Sequence, residues 1–199
     1  MIKRHAGFSL VELLVAMVIG LVIMLGAGRI FLTVLQTSRH VEMLGEKQAA
    51  VNLVAEMLLR DIRRAVWSRS GWSTDASGDA VLTLAVENRG DALTHCAPGD
   101  EVLKNYKLQE RMIADEVAWF MALEVARCAD VARGGGYQGL VGGFIGPDAV
   151  TPGPGFAVDD SRWDEGVLQI TLRLVPIGEG VASDTLTFLA VNRTEALAP

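Results

Sequence analysis

The sequence has few of the side chains from which hydrolytic and metal-dependent active sites are built. Its 199 residues include only three histidines and two cysteines. His5 precedes a long apolar run and His40 lies in a polar helical pattern, so only His95 could lie in a folded domain. We find no Ser-His-Asp set, no metal-ligand spacing of cysteine and histidine, and no phosphate-binding loop. The sequence therefore predicts no enzyme, no catalytic residues, no metal and no cofactor.

Positive charge is also scarce. The chain has 18 Lys and Arg against 24 Asp and Glu, which gives a net charge of −6. Proteins that bind nucleic acid through a basic surface carry the opposite balance. We therefore expect no direct binding of nucleic acid. The length allows one modest domain in addition to a membrane anchor.

Proline is absent from residues 1–97, so the residue that most strongly interrupts helices is missing there. Within residues 8–28 only Ser9 and Glu12 are polar. At about 1.5 Å per residue this run forms roughly 31 Å of helix, the thickness of the hydrocarbon core of a bilayer. Apolar or small residues then recur at steps of three and four, as in an amphipathic helix. They are Val41, Leu44, Val51, Ala55, Leu58, Ile62 and Ala65, with Gln48 filling one gap. The pattern predicts one continuous helix over residues 9–66.

Glu12 is the unusual residue of the apolar run. A carboxylate within a membrane segment costs on the order of 2.5–3.5 kcal/mol on insertion scales, so such a residue is expected to have a function and a partner. A buried carboxylate is tolerated when an ammonium group lies beside it. One alternative is an ordinary signal-anchor helix whose glutamate has no role. A cleaved secretory signal fits less well, because its apolar region spans only about 7–15 residues.

The N-terminal residues resemble the signal of a known family. A short basic leader, residues 1–6, is followed by Gly7 and then by Phe8-Ser9-Leu10-Val11-Glu12 at the start of the apolar run. This arrangement is similar to the class III signal of type IV pilins and pseudopilins. The resemblance implies that a prepilin peptidase cleaves between Gly7 and Phe8 and methylates the new Phe8 terminus. It also implies that Glu12 pairs with the N-terminal amine of a neighbouring subunit in a filament.

The resemblance and the patterns after the helix predict an α+β fold of the pilin type. A long N-terminal helix, transmembrane in its first half, would pack by its second half against a small antiparallel β-sheet head. The expected divisions are a leader peptide (1–7), a transmembrane and filament-core half-helix (8–28), an amphipathic half-helix (29–67) and a globular β-rich head (68–199).

Three segments of the head are predicted as strands from β-prone or alternating residues: 80–86, 166–175 and 185–191, the last two as an antiparallel pair. Residues 113–132 are ambiguous between helix and strand, and strand is the preferred interpretation. Residues 68–78, 93–103 and 139–155 are predicted as loops, because glycine, proline and small polar residues are frequent or no period is clear.

Several later segments resemble one subgroup of the family, the PilW-like minor pilins, and more loosely the GspJ-like pseudopilins of type II secretion. They are residues 16–21, 58–65 and 137–143, Trp163, and residues 188–193. This resemblance implies a minor pilin that takes part in type IV pilus assembly and primes or caps the filament with other minor pilins. The alternatives are a pseudopilin of a type II secretion system and a pilin-anchored adhesin or binding module.

The family also implies partners and a location. The partners are a prepilin peptidase, other minor and major pilins, the inner-membrane assembly platform and the lipid bilayer. Before assembly the protein would be a single-pass inner-membrane protein with its head in the periplasm. After assembly it would lie in the pilus filament or at its tip.

Three sets of residues in the head are candidates for further roles. In an oxidising periplasm Cys96 and Cys128 form a possible disulfide bond, the alternative being two buried thiols. Hard cations prefer clustered carboxylates, so four acidic residues form a candidate calcium site, with a solvated acidic loop preferred. They are Asp159, Asp160, Asp164 and Glu165. Four tryptophans could offer a face to a sugar or a partner, with core packing preferred. They are Trp67, Trp72, Trp119 and Trp163.

Overall fold

The structure is a computed structural model that describes residues 9–90, 96–126, 136–176 and 182–193. Its first element is the long helix α1, Leu10–Arg64. No proline interrupts this stretch, and its first 20 residues are almost entirely apolar. The helix predicted over residues 9–66 is thereby confirmed. By length and composition α1 could cross a membrane.

The chain divides into two units, residues 1–45 and residues 46–199. The described part of the N-terminal unit is the portion of α1 that ends at Gly45. Its apolar side chains are exposed, for example Leu10 at 80% and Met24 at 78%. So much apolar surface requires a bilayer or an apolar partner to cover it. The C-terminal unit contains the rest of α1 and the strands.

Eight strands of the C-terminal unit form one antiparallel sheet among the described residues. They are β1 (Gly71–Thr74), β2 (Ala80–Glu87), β3 (Glu101–Ile113), β4 (Glu116–Ala126), β5 (Gln138–Phe144), β6 (Phe156–Asp159), β7 (Val167–Leu174) and β8 (Asp184–Val191). The order is β1-β2-β3-β4-β5-β7-β6, and β8 pairs with β7. Short 3-10 turns at Trp67–Arg69 and Trp163–Glu165 precede β1 and β7. One long N-terminal helix and one antiparallel sheet confirm the predicted α+β fold class.

The sheet has two strongly paired regions. β3 and β4 form the longest pairing, with 11 residue pairs joined by the turn Ala114-Asp115. Both turn residues have positive φ, 49° and 67°, the geometry that matches the right-handed twist of the two strands. β7 organises the other region, because it pairs with β5, β6 and β8.

The core lies between the second half of α1 and one face of the sheet. From α1, Ala50, Val54, Leu58 and Ile62 are buried at steps of four residues. The sheet contributes large side chains that are fully buried, among them Leu82, Leu84, Tyr106, Met121, Ile170 and Leu172. Burying one such aliphatic side chain stabilises the fold by about 1.5–3 kcal/mol. This packing holds the C-terminal half of α1 on the sheet.

The apolar stripe of α1 begins before the part of the helix that is buried. Val41 and Leu44 are exposed at 62% and 39%, whereas Ala50 and Val54 are buried. The helical period alone does not say where the sheet begins to cover the helix. Val41 and Leu44 belong to the N-terminal unit, which contributes no buried residue to the described core.

Three of the predicted loops contain strands. β1 lies within residues 68–78, β3 begins within residues 93–103, and β5 lies mostly within residues 139–155. β6 was not predicted at all. The glycines of β5 were interpreted as loop residues, but Gly142 packs against β4. A Cβ at Gly142 would lie only 2.8 Å from the ring of Phe120, so glycine is required there for close approach.

The remaining strand predictions are confirmed. Residues 80–86, 166–175 and 185–191 correspond to β2, β7 and β8, and β7 pairs antiparallel with β8. Within residues 113–132 the preference for strand over helix is confirmed by β4, whereas Ala114 and Asp115 form the turn that precedes it. Residues 127–132 of that prediction lie outside the described residues.

Candidate functional site

The most deeply buried charge in the described structure is Asp61, which projects from α1 toward β3. Its side chain is 0% exposed. One carboxylate oxygen accepts hydrogen bonds from Lys104 Nζ at 2.9 Å and from Tyr106 Oη at 2.6 Å. The other is 2.9 Å from a guanidinium nitrogen of Arg64. These contacts compensate for the desolvation of Asp61 and tie α1 to β3.

The burial of this cluster changes the pKa of one of its members, Tyr106. Lys104 and Tyr106 are two residues apart on β3, so both side chains lie on the sheet face that α1 covers. Burial, reinforced by the charge of Asp61, holds the pKa of Tyr106 well above its ordinary value. Tyr106 is therefore a neutral hydrogen-bond donor. The buried contacts of Asp61 with Lys104 and Tyr106 fix α1 on the sheet.

A second charged cluster lies on the opposite face of β3. Lys107 Nζ is 2.8 Å from carboxylate oxygens of both Asp75 and Asp79 in the β1–β2 loop. The same ammonium lies 4.7 Å from the centre of the Tyr137 ring, a cation–π contact. Asp75 also accepts hydrogen bonds from the backbone N–H groups of Ser77 and Asp79. The loop is thereby closed over Lys107.

The pKa values in this cluster follow from the contacts. Burial of Lys107 opposes its charge, but the hydrogen bonds to Asp75 and Asp79 outweigh that effect and raise its pKa to about 12. The hydrogen bond from Lys107 lowers the pKa of Asp75. Each partner thus favours the charged form of the other.

The C-terminal end of α1 is capped by a residue from the end of the chain. Asn192 Nδ2 donates hydrogen bonds to the carbonyl oxygens of Ile62 and Ala65, both at 2.8 Å. Ile62 lies in the last turn of α1 and Ala65 directly follows the helix, where backbone carbonyl groups lack the regular helical hydrogen bond. Trp67 stacks on Trp163 at 4.0 Å between ring centres and donates its N–H to the Trp163 carbonyl.

The four tryptophans are part of the core or pack against it. Trp67 is buried, and Trp72, Trp119 and Trp163 are partly buried against the core. Trp72 also meets the edge of the Phe156 ring at 5.4 Å. The preferred interpretation, core packing, is confirmed.

The acidic segment before β7 is a solvated turn. The Asp159 carboxylate accepts a hydrogen bond from the Ser161 backbone N–H, which lowers the pKa of Asp159. Glu165 forms an exposed ion pair with Arg162 at 2.6 Å. Within the described ranges, no group of three or more His, Cys, Asp or Glu residues is arranged to hold a metal. The calcium alternative therefore gains no support from this turn.

Cys96 is buried, and its sulfur is held in a disulfide bond. Cys128 is the second of the two cysteines in the chain and lies outside the described residues. The pairing of Cys96 with Cys128 therefore stays a prediction.

At the N-terminus, the described residues begin with the start of α1. The hydroxyl of Ser9 accepts a hydrogen bond from the backbone N–H of Glu12 at 3.2 Å, and the Ser9 carbonyl accepts one from Leu13. Ser9 is thus the N-cap of the helix. Glu12 lies in the first turn, where the helix dipole favours a negative charge. Gly7 and Phe8 lie outside the described residues, so cleavage and methylation at their junction stay predictions.

Residues 2–28 match the family described as the prokaryotic N-terminal methylation motif. The chain carries this methylation motif. The match includes Gly7, Phe8 and Glu12 and most of the apolar run, and it supports a place in the type IV pilin-like superfamily. No curated protein and no solved structure matches the chain.

The methylation motif has implications for the processing, assembly and membrane anchoring of the chain. It implies processing by a prepilin peptidase and assembly with pilin-type partners. Together with the apolar helix, it fits membrane anchoring before assembly. The match ends at residue 28 and therefore says nothing about the C-terminal unit.

Several residues that organise the C-terminal unit carry no recognisable motif in the sequence: Asp61, Lys104, Tyr106, Lys107 and Asn192. Asp61 and Lys104 are 43 residues apart in the chain, and Ile62 and Asn192 are 130 apart. No local motif joins such pairs. The sequence did contain one signal for Asp61. This charged residue lies seven residues after Val54 and three after Leu58, which places it on the apolar face of the helix.

Proposed function

We propose that this chain is a minor pilin of the PilW-like type that takes part in type IV pilus assembly by priming or capping the filament. The observation that carries the proposal is the methylation motif at residues 2–28, with Glu12 placed inside the apolar first part of α1. The protein is not an enzyme in this proposal.

The proposed mechanism begins in the membrane. A prepilin peptidase cleaves between Gly7 and Phe8 in the inner membrane and methylates Phe8. The C-terminal unit lies in the periplasm, and the apolar first part of α1 holds the subunit in the bilayer. Removal of Lys3 and Arg4 with the leader changes the net charge from −6 to −8.

Assembly depends on Glu12 in this proposal. The assembly platform brings the subunit to other minor and major pilins, and the Glu12 carboxylate pairs with the Phe8 amine of a neighbour. A carboxylate in apolar surroundings is costly alone but tolerated beside an ammonium group. The pair thus favours the assembled state over the separate subunits.

The substitution Glu12→Ala tests the proposal. It removes a charge from the apolar run, so membrane insertion should be unchanged or improved. Incorporation into filaments and recovery of other pilins by pull-down should fall sharply, because the partner ammonium loses its counter-charge. Glu42→Ala is the matched control, since Glu42 is an exposed carboxylate on the same helix beyond the apolar run. Equal filament yield from Glu12→Ala and Glu42→Ala, at equal membrane levels, would refute the assembly role of Glu12.

A pseudopilin of type II secretion carries the same kind of motif and is the second candidate. The two are separated by the cellular phenotype of a deletion strain. Loss of surface pili with normal protein secretion supports the minor pilin. Loss of secretion with normal pili supports the pseudopilin.

A further inference from the structure

An arginine-rich groove lies on the C-terminal unit. The side of α1 turned away from the sheet presents Glu56, Leu59, Arg60 and Arg63, whereas Leu58 and Ile62 face the core. Arg64 and Arg193, the latter just after β8, complete the groove. Its volume is about 770 Å³. We call it the arginine groove.

The charge of the arginine groove is opposite to that of the whole chain. Among the described residues that line it, four are arginines and one is a glutamate, a charge of +3 for this set in a protein of net charge −6. Asp61 pairs with two of these arginines. Its carboxylate lies 2.9 Å from Arg64 and 3.6 Å from Arg60, and it also accepts hydrogen bonds from Lys104 and Tyr106. Arg63 and Arg193 are not among these contacts. Positive charge is therefore left for a partner.

Two of the arginines are well placed to meet that partner. Arg63 and Arg193 are exposed, and neither is among the side chains that contact Asp61. Arg60 is 55% exposed, but its Nε lies 3.6 Å from Asp61. Changing Arg63 and Arg193 should therefore alter the groove without disturbing the buried cluster.

The groove combines this charge with an apolar floor. Leu59 is half-buried against the core and lies among the arginines. A guanidinium group binds a carboxylate through two parallel hydrogen bonds. A partner segment with carboxylates on its edges and an apolar side chain at its centre would match both features.

The overall charge of the chain decides between classes of acidic partner. A nucleic acid presents negative charge over a long distance and would be repelled by a protein of net charge −6. A short acidic protein segment responds mainly to charges within the screening length, about 8 Å at physiological salt. The local arginines therefore favour a protein segment over a polyanion.

We propose that the arginine groove binds an acidic, amphipathic segment of another pilin-like subunit. The identity of the partner rests on the proposed function. The groove would supply a contact outside the apolar run, on the part of α1 that belongs to the C-terminal unit. Glu12 would drive association of the N-terminal helices, and the arginine groove would select which neighbour is accepted.

The binding test uses the full-length protein in a neutral detergent. The probe is a fluorescent peptide of repeating Glu-Glu-Leu-Glu units, and the same peptide with glutamine in place of glutamate is its uncharged counterpart. We expect Arg63→Glu/Arg193→Glu to weaken binding of the acidic peptide about tenfold or more, because attraction becomes repulsion at two positions. Arg111→Glu changes the charge by the same amount as Arg63→Glu alone and is the matched control for that single reversal, since Arg111 is an exposed arginine on β3 outside the groove. Arg63→Gln, which only removes a charge, should give a smaller loss.

Several results would overturn the proposal. They are equal weakening by Arg111→Glu, equal binding of the glutamine peptide, and no effect of the double charge reversal in a variant that melts at the wild-type temperature. Tighter binding of double-stranded DNA than of the acidic peptide would also overturn it, in favour of a nucleic-acid site.

A cellular measurement separates this inference from the proposed function. Recovery of other pilins by pull-down is compared for Glu12→Ala and for Arg63→Glu/Arg193→Glu at equal membrane levels. If both lower recovery and Arg111→Glu does not, the inference is supported. If Glu12→Ala lowers recovery but the charge reversal leaves it unchanged, the inference is wrong and the proposed function stands. If the mature protein lacks methylated Phe8 and Glu12→Ala has no effect, both are wrong.

Discussion

Replacing Asp61 by asparagine should destabilise the C-terminal unit strongly. Asparagine has nearly the same shape and keeps an oxygen that can accept the hydrogen bond from the Tyr106 hydroxyl, so the substitution removes little except the charge. Lys104, only 3% exposed, would then be buried without its counter-charge. Breaking a buried ion pair by removing one partner costs about 3–5 kcal/mol. That is a large part of the roughly 5–15 kcal/mol by which domains are stable.

The assay is urea unfolding of the full-length protein in detergent, followed by tryptophan fluorescence. Trp67 and Trp163, which stack at 4.0 Å at the end of α1, should report the separation of the helix from the sheet. Glu56→Gln is the matched control, because it neutralises an exposed carboxylate on the same helix. Its effect should stay within about 0.5 kcal/mol.

A double variant distinguishes an unpaired charge from general damage to the core. In Asp61→Asn/Lys104→Met the buried ammonium is gone, and replacing a buried ion pair by groups of similar volume is often nearly neutral. The double variant should therefore be clearly more stable than Asp61→Asn alone. The reasoning is refuted if Asp61→Asn costs less than about 1 kcal/mol, or if the double variant is no more stable than the single one.

Three further predictions concern processing, the disulfide and pH. Gly7→Val should leave the full-length precursor in the membrane, because a branched side chain replaces the small residue at the proposed cleavage junction; a normally methylated Phe8 terminus by mass spectrometry would contradict this. If Cys96 and Cys128 are bridged, the protein should run faster on a non-reducing gel than after reduction, and labelling of both as free thiols in the native protein would exclude the bridge. The raised pKa of Lys107, about 12 against an ordinary 10.5, means that its ion pairs stabilise the fold fully below the ordinary value and lose this effect as pH rises through the raised one. The difference in free energy of unfolding between wild type and Lys107→Met should therefore shrink over that range, and a difference that does not change with pH would contradict the assignment.

The sequence was most informative where structure depends on neighbours along the chain. α1 could be predicted because residues 1–97 lack proline and the apolar period persists. β7 and β8 could be predicted because alternation of side chains across a strand is local. The N-terminal signal could be identified because Gly7, Phe8 and Glu12 lie within six residues of one another. Each of these features can be identified without knowledge of the tertiary contacts.

Other strands could not be predicted because the contacts that stabilise them are made with residues of a neighbouring strand. The glycines of β5 favour a loop when the sequence is considered alone. In the structure, the Phe120 ring on β4 occupies the space that a Cβ at Gly142 would need, so glycine is compatible with a strand there. Gly155 has a similar constraint, since a Cβ there would lie 1.9 Å from the carbonyl oxygen of Ile145. β4 itself was ambiguous until its pairing with β3 along 11 residue pairs decided the matter. In these cases packing overrides local preference.

The sequence by itself determined the apolar helix and the methylation motif at its start, and with the family resemblance it predicted the α+β class. These depend on spacing along the chain and on the cost of placing a charge such as Glu12 in an apolar segment. Only the tertiary structure decided which residues hold the C-terminal unit together and where its charges gather. Asp61 meets Lys104, and Arg63 shares a groove with Arg193, although long stretches of chain separate the members of each pair. Electrostatic interactions act over distances of a few ångströms in space, and separation along the chain does not reveal them.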